Sequence, residues 1–318
     1  MKITESTKLN DLRHIPEIGK NYIYVSYSSG LFRPIFNGMT IKKLAPAGGP
    51  ADMLKGLDRL VEVAKQGDYL YPLYSAERKE KKDVNLIRFP AKDGKKKPFV
   101  IVCAGGGYGS VASLGEAFPT AARLNELGYH AFCLTYQVGG KKLLPKPLDD
   151  LAEALKFLMA NKEKFDLSDE YIVCGFSAGG NLTALWGTDN VGYSHYGLPK
   201  PKAVFPIYPL INNTWRDNMV INICLDIMFG KKPSSEELHR YTVTEHVDNY
   251  PPCYTVNCLD DSTVRPENAK LLKDALDKAG IPCVLEQGEK GEHGFGPGTG
   301  TSVEGWLDRA IAFVEKLS

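Results

Sequence analysis

The feature that most constrains the fold is a regular alternation of strand-like and helix-like segments from residue 97 onward. The segment "PLDDLAEALKFLMANKEKF", for example, carries its leucines at the spacing of one helical face. Strands that alternate with helices favour a mostly parallel sheet with helices on both faces, and such sheets carry their working residues at the carboxyl ends of strands. The strand-like runs are "KPFVIVCAG", "YHAFCLTYQ", "YIVCGF", "KAVFPIYPL", "CYTVNCL" and "PCVLEQG".

Two segments fall outside this alternation. Residues 1–80 contain one helical pattern, "ADMLKGLDRLVEVAKQG", and one aromatic strand-like run, "YLYPLY". We expect them to form an N-terminal extension packed on a main domain of residues 81–318. Residues 211–250 separate two strands by a length that favours a partly helical, cap-like insertion over a plain loop. The lysine-rich residues 77–98 mix charges of both signs and predict a solvated hairpin around one short strand.

Composition excludes several classes of protein. The 318 residues are 43% hydrophobic and carry a formal net charge of +1, which provides no global field to attract nucleic acid or an anionic membrane. The sequence starts without an apolar signal-like core, no apolar run approaches a membrane span, and its seven cysteines form no CxxC pair. We therefore expect a cytoplasmic protein that binds neither nucleic acid nor membrane. A homo-oligomer stays open.

The glycine-rich turn in "VIVCAGGGYGSVA" has three interpretations. Gly107, Gly109 and Ala112 satisfy the dinucleotide pattern GxGxxA, but the next strand, "YHAFCLTYQVGG", lacks the acidic residue that would hold a ribose. A purely structural tight turn is the second interpretation. The third is a turn whose backbone N–H groups point into a pocket and stabilise a developing negative charge, for which a run of glycines is suited.

A second glycine-rich turn, "GFSAGG", predicts a nucleophile. Ser177 lies between Gly175 and Gly179 in a GxSxG pattern at a strand-to-helix transition, the context that a nucleophile elbow requires. The N–H of Ala178 at the start of the helix is suited to stabilise an oxyanion. The turn does not fit a phosphate loop, because Asn181 and Leu182 stand where Lys and Ser or Thr are needed.

A nucleophilic serine needs a base and an acid, in the chain order serine, acid, histidine. Four histidines follow Ser177, and one of them, His293, lies in the glycine-rich loop "GEKGEHGFGPGTG" after the last predicted strand. We favour His293 as the base. For the acid, Asp260 and Asp261 both end the strand "CYTVNCL", and the residues alone leave the choice open. The other three histidines after Ser177 are His195, His239 and His246. A charged, helix-like stretch around His239 favours a surface position for it, whereas the other two lie in loop-like segments and stay weaker candidates for the base.

The motifs "AGGGYG", "GFSAGG", "DDSTVRPENAKLLKDAL" and "GEHGFG", in this order, resemble those of the α/β-hydrolase superfamily, in particular its small esterases related to acetyl-xylan and feruloyl esterases. The resemblance covers about residues 85–318 and implies a mostly parallel central sheet with helices on both faces. It selects Asp261 as the acid, because Val264 and the pair Glu267–Asn268 follow at the family's spacing. It implies Ser177 as nucleophile, His293 as general base and acid, and an oxyanion hole formed by Gly106, Gly107, Tyr108 and Ala178. The chain departs from many relatives at Ala104, where they carry His or Pro.

The resemblance implies a serine esterase that hydrolyses short-chain, acetyl-like esters of carbohydrates or related small alcohols through an acyl-enzyme. No metal or cofactor is required, and the expected partner is a small-molecule ester. Tyr108 and the insertion residues Trp215, Met228 and Phe229 are candidate pocket walls, with a place in the core as the alternative. Two other functions stay open: a ligand-binding protein without turnover, and a serine hydrolase of aryl esters or small lipids.

Overall fold

The computed structural model describes residues 2–28, 38–45, 49–91 and 97–317. Its strands are β1 (Tyr27–Ser28), β2 (Leu70–Pro72), β3 (Asn85–Phe89), β4 (Phe99–Cys103), β5 (Ser110–Val111), β6 (Ala131–Thr135), β7 (Tyr171–Phe176), β8 (Ala203–Ile207), β9 (Cys253–Cys258) and β10 (Cys283–Gly288). Its α-helices are α1 (Ile41–Leu44), α2 (Ala51–Lys65), α3 (Ala117–Glu126), α4 (Lys146–Ala160), α5 (Lys162–Phe165), α6 (Ala178–Trp186), α7 (Met219–Phe229), α8 (Ser235–Arg240), α9 (Glu267–Lys278) and α10 (Trp306–Glu315). Short 3-10 helices span Leu9–His14, Gly19–Tyr24, Lys79–Lys81, Tyr193–Tyr196 and Val243–Glu245.

Eight of these strands form one sheet in the order β10-β9-β8-β7-β4-β6-β3-β2. The pairs from β10 to β6 are parallel, whereas β3 pairs antiparallel with both β6 and β2. Every residue of β4, β6, β7 and β8 is buried, as expected for parallel strands that are covered on both faces. Helices α3, α6, α9 and α10 contact the strands. The expected fold class is confirmed.

The N-terminal segment is joined to the rest of the chain by strand pairing at two places, once in a separate two-stranded sheet and once in the main sheet. Strand β1 pairs antiparallel with β5, and β2 pairs with β3 at the edge of the main sheet. The main sheet thus includes Leu70–Pro72, which lies within the range expected to be an extension, because the run "YLYPLY" covers the open edge of β3. Helix α2 packs against α3 so closely that a Cβ on Gly56 would lie 2.6 Å from the backbone nitrogen of Pro119.

The lysine-rich residues 77–98 contain β3, the short strand expected there. Residues 92–96 of this stretch lie outside the described residues, so the hairpin as a whole stays a prediction. The insertion at residues 211–250 contains α7 and α8, in line with a partly helical segment. Among the helices that the structure describes, none is both long and apolar enough to cross a bilayer.

A buried carboxylate links the N-terminal segment to α4. The Oδ1 atom of Asp150 accepts a hydrogen bond from the Tyr74 hydroxyl at 2.9 Å, and Oδ2 accepts one from the backbone N–H of Gln137 at 2.8 Å. Burial raises the pKa of Asp150 to about 6, although these hydrogen bonds act in the opposite direction. The protonated form is therefore favoured more strongly in the folded chain than in the unfolded chain.

Stability should consequently decrease with rising pH at this site. The contribution of Asp150 is fully present below the unfolded pKa near 4 and is lost as the pH passes through the folded value of about 6. Relative to Asp150→Asn, the free energy of unfolding of the wild type is expected to fall by about 3 kcal/mol over this interval. Urea unfolding of both proteins at a series of pH values measures the difference. A difference independent of pH would contradict the prediction.

Candidate active site

Ser177 lies on a sharp turn between β7 and α6. Its backbone has φ 52° and ψ −114°, a sparsely populated conformation of the kind that active sites hold under strain. Glycine is required on either side of the serine, because neighbouring backbone atoms leave no room for a side chain. A Cβ on Gly175 would lie 2.1 Å from the carbonyl oxygen of Gly179, and a Cβ on Gly179 would lie 2.0 Å from that of Cys103. The local sequence therefore allows this turn where bulkier residues would not.

Three side chains that are far apart in sequence meet at this turn. The Nε2 atom of His293 lies 2.8 Å from Oγ of Ser177, and its Nδ1 atom lies 2.8 Å from Oδ2 of Asp261. The side chain of Asp261 is 0% exposed and that of His293 is 16% exposed. A serine, an imidazole and a buried carboxylate in this order have the geometry in which the imidazole can take the serine proton and the carboxylate can orient the ring.

The two neighbouring aspartates have different contacts. Oδ1 of Asp261 accepts the backbone N–H groups of Thr263 and Val264, both at 2.9 Å, which leaves Oδ2 directed at His293. Asp260 instead accepts the N–H groups of Gly291 and Glu292 at 3.0 and 2.9 Å. Asp261 therefore contacts the imidazole, whereas Asp260 holds the backbone of the loop that carries it.

The glycine-rich turn after β4 faces the serine. Gly106, Gly107 and Ala178 line one cavity together with Ser177 and His293, so they border the space beside the serine. Tyr108 is fully buried, and its hydroxyl donates a hydrogen bond to Oδ1 of Asn181 at 2.7 Å. Its side chain therefore secures the turn to α6 and is not a pocket wall, which corrects that interpretation. Its backbone N–H stays a candidate oxyanion donor.

A second buried carboxylate, which the sequence analysis did not single out, joins the parts of the site. Oε2 of Glu116 accepts the N–H of Gly105 at 2.5 Å, and Oε1 accepts the hydroxyl of Tyr208 at 2.9 Å. The hydroxyl oxygen of Tyr208 also accepts a hydrogen bond from the N–H of Gly296 at 3.2 Å. The centre of the Tyr208 ring lies 4.8 Å from the centre of the His293 ring. Burial raises the pKa of Glu116, while hydrogen bonds from Gly105 and Tyr208 and the nearby His293 charge act against this.

Glu116 thus connects the glycine-rich turn to the histidine loop through Tyr208. One local signal could have found it: a lone acidic residue directly before the apolar start of α3, "AFPTAA". Tyr208 gives a weaker signal, because an aromatic residue after a buried strand is common in cores. Its backbone φ of 36° shows strain that the sequence does not reveal.

A cavity of about 490 Å³ opens above Ser177. The size is typical of a small-molecule site. Besides the residues of the triad and the glycine-rich turn, its wall is mainly aliphatic and comes largely from one face of α7. Met219 and Val220, at the start of α7, and Ile223 are 74%, 52% and 48% exposed. The aliphatic and sulfur-bearing lining residues are Leu210, Val220, Ile221, Ile223, Cys224, Ile227 and Val264.

The three insertion residues predicted as pocket walls do not line this cavity. Trp215 packs under the guanidinium of Arg265, which lies 5.3 Å from the centre of its ring. Met228 and Phe229 are buried in the core and do not border the cavity; Sδ of Met228 lies 3.9 Å from Sγ of Cys224, which does border it. The prediction of these residues as pocket walls was wrong, and the alternative place in the core holds for Met228 and Phe229. Their helix is apolar nearly all round, so its sequence periodicity does not indicate which residues face the cavity.

The other candidate histidines have contacts of their own. His195 packs edge-on against Tyr196, and His246 lies with its Nε2 atom 3.1 Å from the carbonyl oxygen of His239. His239 also contacts Glu245. His239, Glu245 and His246 place one potential ligand atom each within 4.8 Å of one another, so they could chelate a cation. None of the three lines the cavity at Ser177.

The sheet order and the strand–turn–helix geometry around Ser177 define an α/β-hydrolase fold. Residues 86–276 match the model of the BD-FAE family, so the chain belongs to the BD-FAE family. The resemblance inferred from the motifs is thereby confirmed.

The chain is also similar to individual proteins. The chain is 28% identical over 234 residues to endo-1,4-beta-xylanase B of Butyrivibrio fibrisolvens, a match over 70% of this chain and 36% of that protein. It is 25% identical over 207 residues to an acetylxylan esterase of Xylanibacter ruminicola, over 63% of this chain and 41% of that protein. The chain therefore spans less than half the length of these two relatives. Among solved structures, the acetyl ester-xyloside bifunctional hydrolase from Caldicellulosiruptor lactoaceticus superposes with a TM-score of 0.67 and 26% identity, over 77% of this chain and 95% of that one.

Proposed function

We propose that this protein is a carboxylic ester hydrolase that acts through an acyl-enzyme on Ser177. The observation that carries the proposal is the continuous hydrogen-bonded chain from Ser177 Oγ through His293 to the buried Asp261. The cavity beside Ser177 supplies a place for a substrate. The names of two relatives, an acetylxylan esterase and an acetyl ester-xyloside hydrolase, support the same class of reaction.

In the proposed reaction, Oγ of Ser177 attacks the ester carbonyl carbon while its proton passes to Nε2 of His293. The carbonyl oxygen becomes an oxyanion, which the N–H groups of the glycine-rich turn and Ala178 stabilise by about 3 kcal/mol each. The intermediate then expels the alcohol, which takes the proton from Nε2. Water then attacks the acyl-enzyme while Nε2 of His293 takes its proton. The proton returns to Oγ of Ser177 as the acid is released. Asp261 keeps the proton of the neutral ring on Nδ1 throughout.

For the substrate, we propose an acetyl-like ester of a carbohydrate or a related small alcohol, on the strength of the relatives' names. The aliphatic wall of the cavity favours a second candidate, an ester with a larger apolar acyl group or an aryl group, because such a wall offers few partners for hydroxyl groups. Rates with p-nitrophenyl esters from acetate to octanoate, compared with acetylated xylosides, distinguish the two.

The test of the reaction class combines turnover with covalent labelling. We expect the wild type to hydrolyse p-nitrophenyl acetate and to gain one phosphonyl group from a fluorophosphonate, located on the Ser177 peptide by mass spectrometry. A protein that binds esters or sugars but hydrolyses none of them would instead be a ligand-binding protein on a hydrolase scaffold. Labelling at another residue would contradict the assignment of the nucleophile.

A further inference from the structure

A second cavity, of about 350 Å³, adjoins the first one. Gly106, Ser110, Ala112, Glu116 and His293 line both cavities. The two cavities therefore meet at the glycine-rich turn and the imidazole, where the reacting bonds of an ester would lie. A site with two branches from the reacting centre is suited to hold the two halves of an ester separately.

The second cavity has walls from the N-terminal segment. Ser26, Leu44 and Met53 line it, and they precede the residues that match the family model. Gly294, next to the imidazole, and the residues Leu114 and Gly115 complete the lining. This branch is therefore built partly by a region that the family match does not include.

Direct contacts hold the N-terminal walls against the site. Ser26 precedes β1, which pairs with β5 directly after the glycine-rich turn. The carbonyl of Val25 accepts the N–H of Leu114 at 2.8 Å. Met53 is 2% exposed within α2, the helix that packs on α3. The wall is thus anchored to the same backbone that forms the glycine-rich turn.

The chemistry of the reaction distinguishes the two branches. The acyl group becomes bonded to Ser177 Oγ, and both Ser177 and Ala178 line the first cavity and not the second. The alcohol must leave beside Nε2 of His293, from which it takes a proton. His293 and its neighbour Gly294 both line the second cavity. The first cavity is thus placed for the acyl group and the second for the leaving alcohol.

We propose that Ser26, Leu44 and Met53 form the wall of an alcohol subsite, which binds the leaving group of the ester, while the α7 face binds the acyl group. The proposal rests on the proposed ester hydrolysis. The subsite combines the hydroxyl groups of Ser26 and Ser110 with the apolar side chains of Leu44, Met53 and Leu114. It therefore fits an alcohol that carries further hydroxyl groups and one apolar face.

Two ester series and two matched variants test this assignment. One series keeps the acetyl group and varies the alcohol from methanol to a monosaccharide, with rates measured by titration of the released acid. The other keeps p-nitrophenol and lengthens the acyl chain from acetate to octanoate. Leu44→Trp fills the alcohol subsite, and Ile223→Trp fills the α7 cavity.

For Leu44→Trp we expect kcat/KM with the monosaccharide acetate to fall at least about tenfold relative to methyl acetate, because the indole occupies the leaving-group space. In this variant the ratio of kcat/KM for p-nitrophenyl octanoate to kcat/KM for p-nitrophenyl acetate should stay unchanged. Ile223→Trp should show the reverse pattern: a lower octanoate-to-acetate ratio and an unchanged ratio along the alcohol series.

Suppose that Leu44→Trp has an unchanged melting temperature. The proposal is overturned if this variant hydrolyses methyl acetate with as large a loss of rate as the sugar acetate, or if its octanoate-to-acetate ratio of kcat/KM changes. If Leu44→Trp does not fold, Leu44→Asn keeps the branched shape and the number of side-chain heavy atoms and replaces the two methyl groups with polar atoms. In this variant the ratio of kcat/KM for the sugar acetate to that for methyl acetate should fall about threefold, because an apolar contact with the alcohol is lost. An unchanged ratio would equally overturn the proposal. A wild type that hydrolyses neither series would reject the proposed function itself; an active wild type with insensitive Leu44 variants would reject only the subsite.

Discussion

Ser177→Ala is expected to lower kcat for p-nitrophenyl acetate by about 10⁴- to 10⁶-fold, the range found when a triad nucleophile is removed. The alanine cannot form the acyl-enzyme, and the remaining backbone donors stabilise only a direct attack by water. The fold should persist, because the backbone N–H of Ser177 still donates to the carbonyl of Ile207 at 2.9 Å and Oγ is the only atom lost.

The matched control is Ser194→Ala. Ser194 is exposed, and its hydroxyl donates to the carbonyl of Asp189 at 2.7 Å, outside the cavity. This variant should keep wild-type kcat and should still accept the fluorophosphonate label, whereas Ser177→Ala should not. Residual activity above about 1% in a Ser177→Ala preparation that is free of wild-type enzyme would mean that another group is the nucleophile.

Asp261→Asn is expected to lower kcat by about 10⁴-fold with the fold intact. The amide oxygen can replace Oδ1, which accepts the N–H groups of Thr263 and Val264, so the amide nitrogen must then face Nδ1 of His293. That nitrogen donates a hydrogen bond, which forces the ring proton onto Nε2. An imidazole protonated at Nε2 cannot take the proton of Ser177.

The neighbouring aspartate supplies a sharp comparison. In Asp260→Asn the amide oxygen can take the place of Oδ1, which lies 3.0 and 2.9 Å from the N–H groups of Gly291 and Glu292. Only the longer contact of Oδ2 with the Gly291 N–H, 3.2 Å, is lost. We expect kcat to change by less than about tenfold. Steady-state rates of both variants, with thermal melting as the check on folding, decide the matter: a larger loss in Asp260→Asn would reverse the roles of the two carboxylates.

Much of the fold was predictable because its signals are local. The buried parallel strands appear as apolar runs, and the helices between them appear as 3.6-residue periods. The run "YLYPLY" indicated the edge strand Leu70–Pro72, but its pairing with β3 across the intervening loop was not readable from the run itself. The face of α7 that lines the cavity was missed for a related reason. Its sequence, "MVINICLDIMF", is apolar nearly all round, so periodicity could not separate the substrate face from the core face.

For the site, the sequence by itself determined the turn at Ser177, because strand, glycines and helix follow one another directly within residues 171–186 and steric crowding admits few alternatives. It also determined the order of serine, acid and histidine. Only the tertiary structure decided which atoms meet: that Asp261 reaches His293 across 32 positions, that His293 reaches Ser177 across 116, and that Glu116 links the glycine-rich turn to Tyr208. Only the tertiary structure brought Leu44 and Met53 to the imidazole. These contacts depend on long-range packing, whose geometry is set by the whole sheet and not by any one segment.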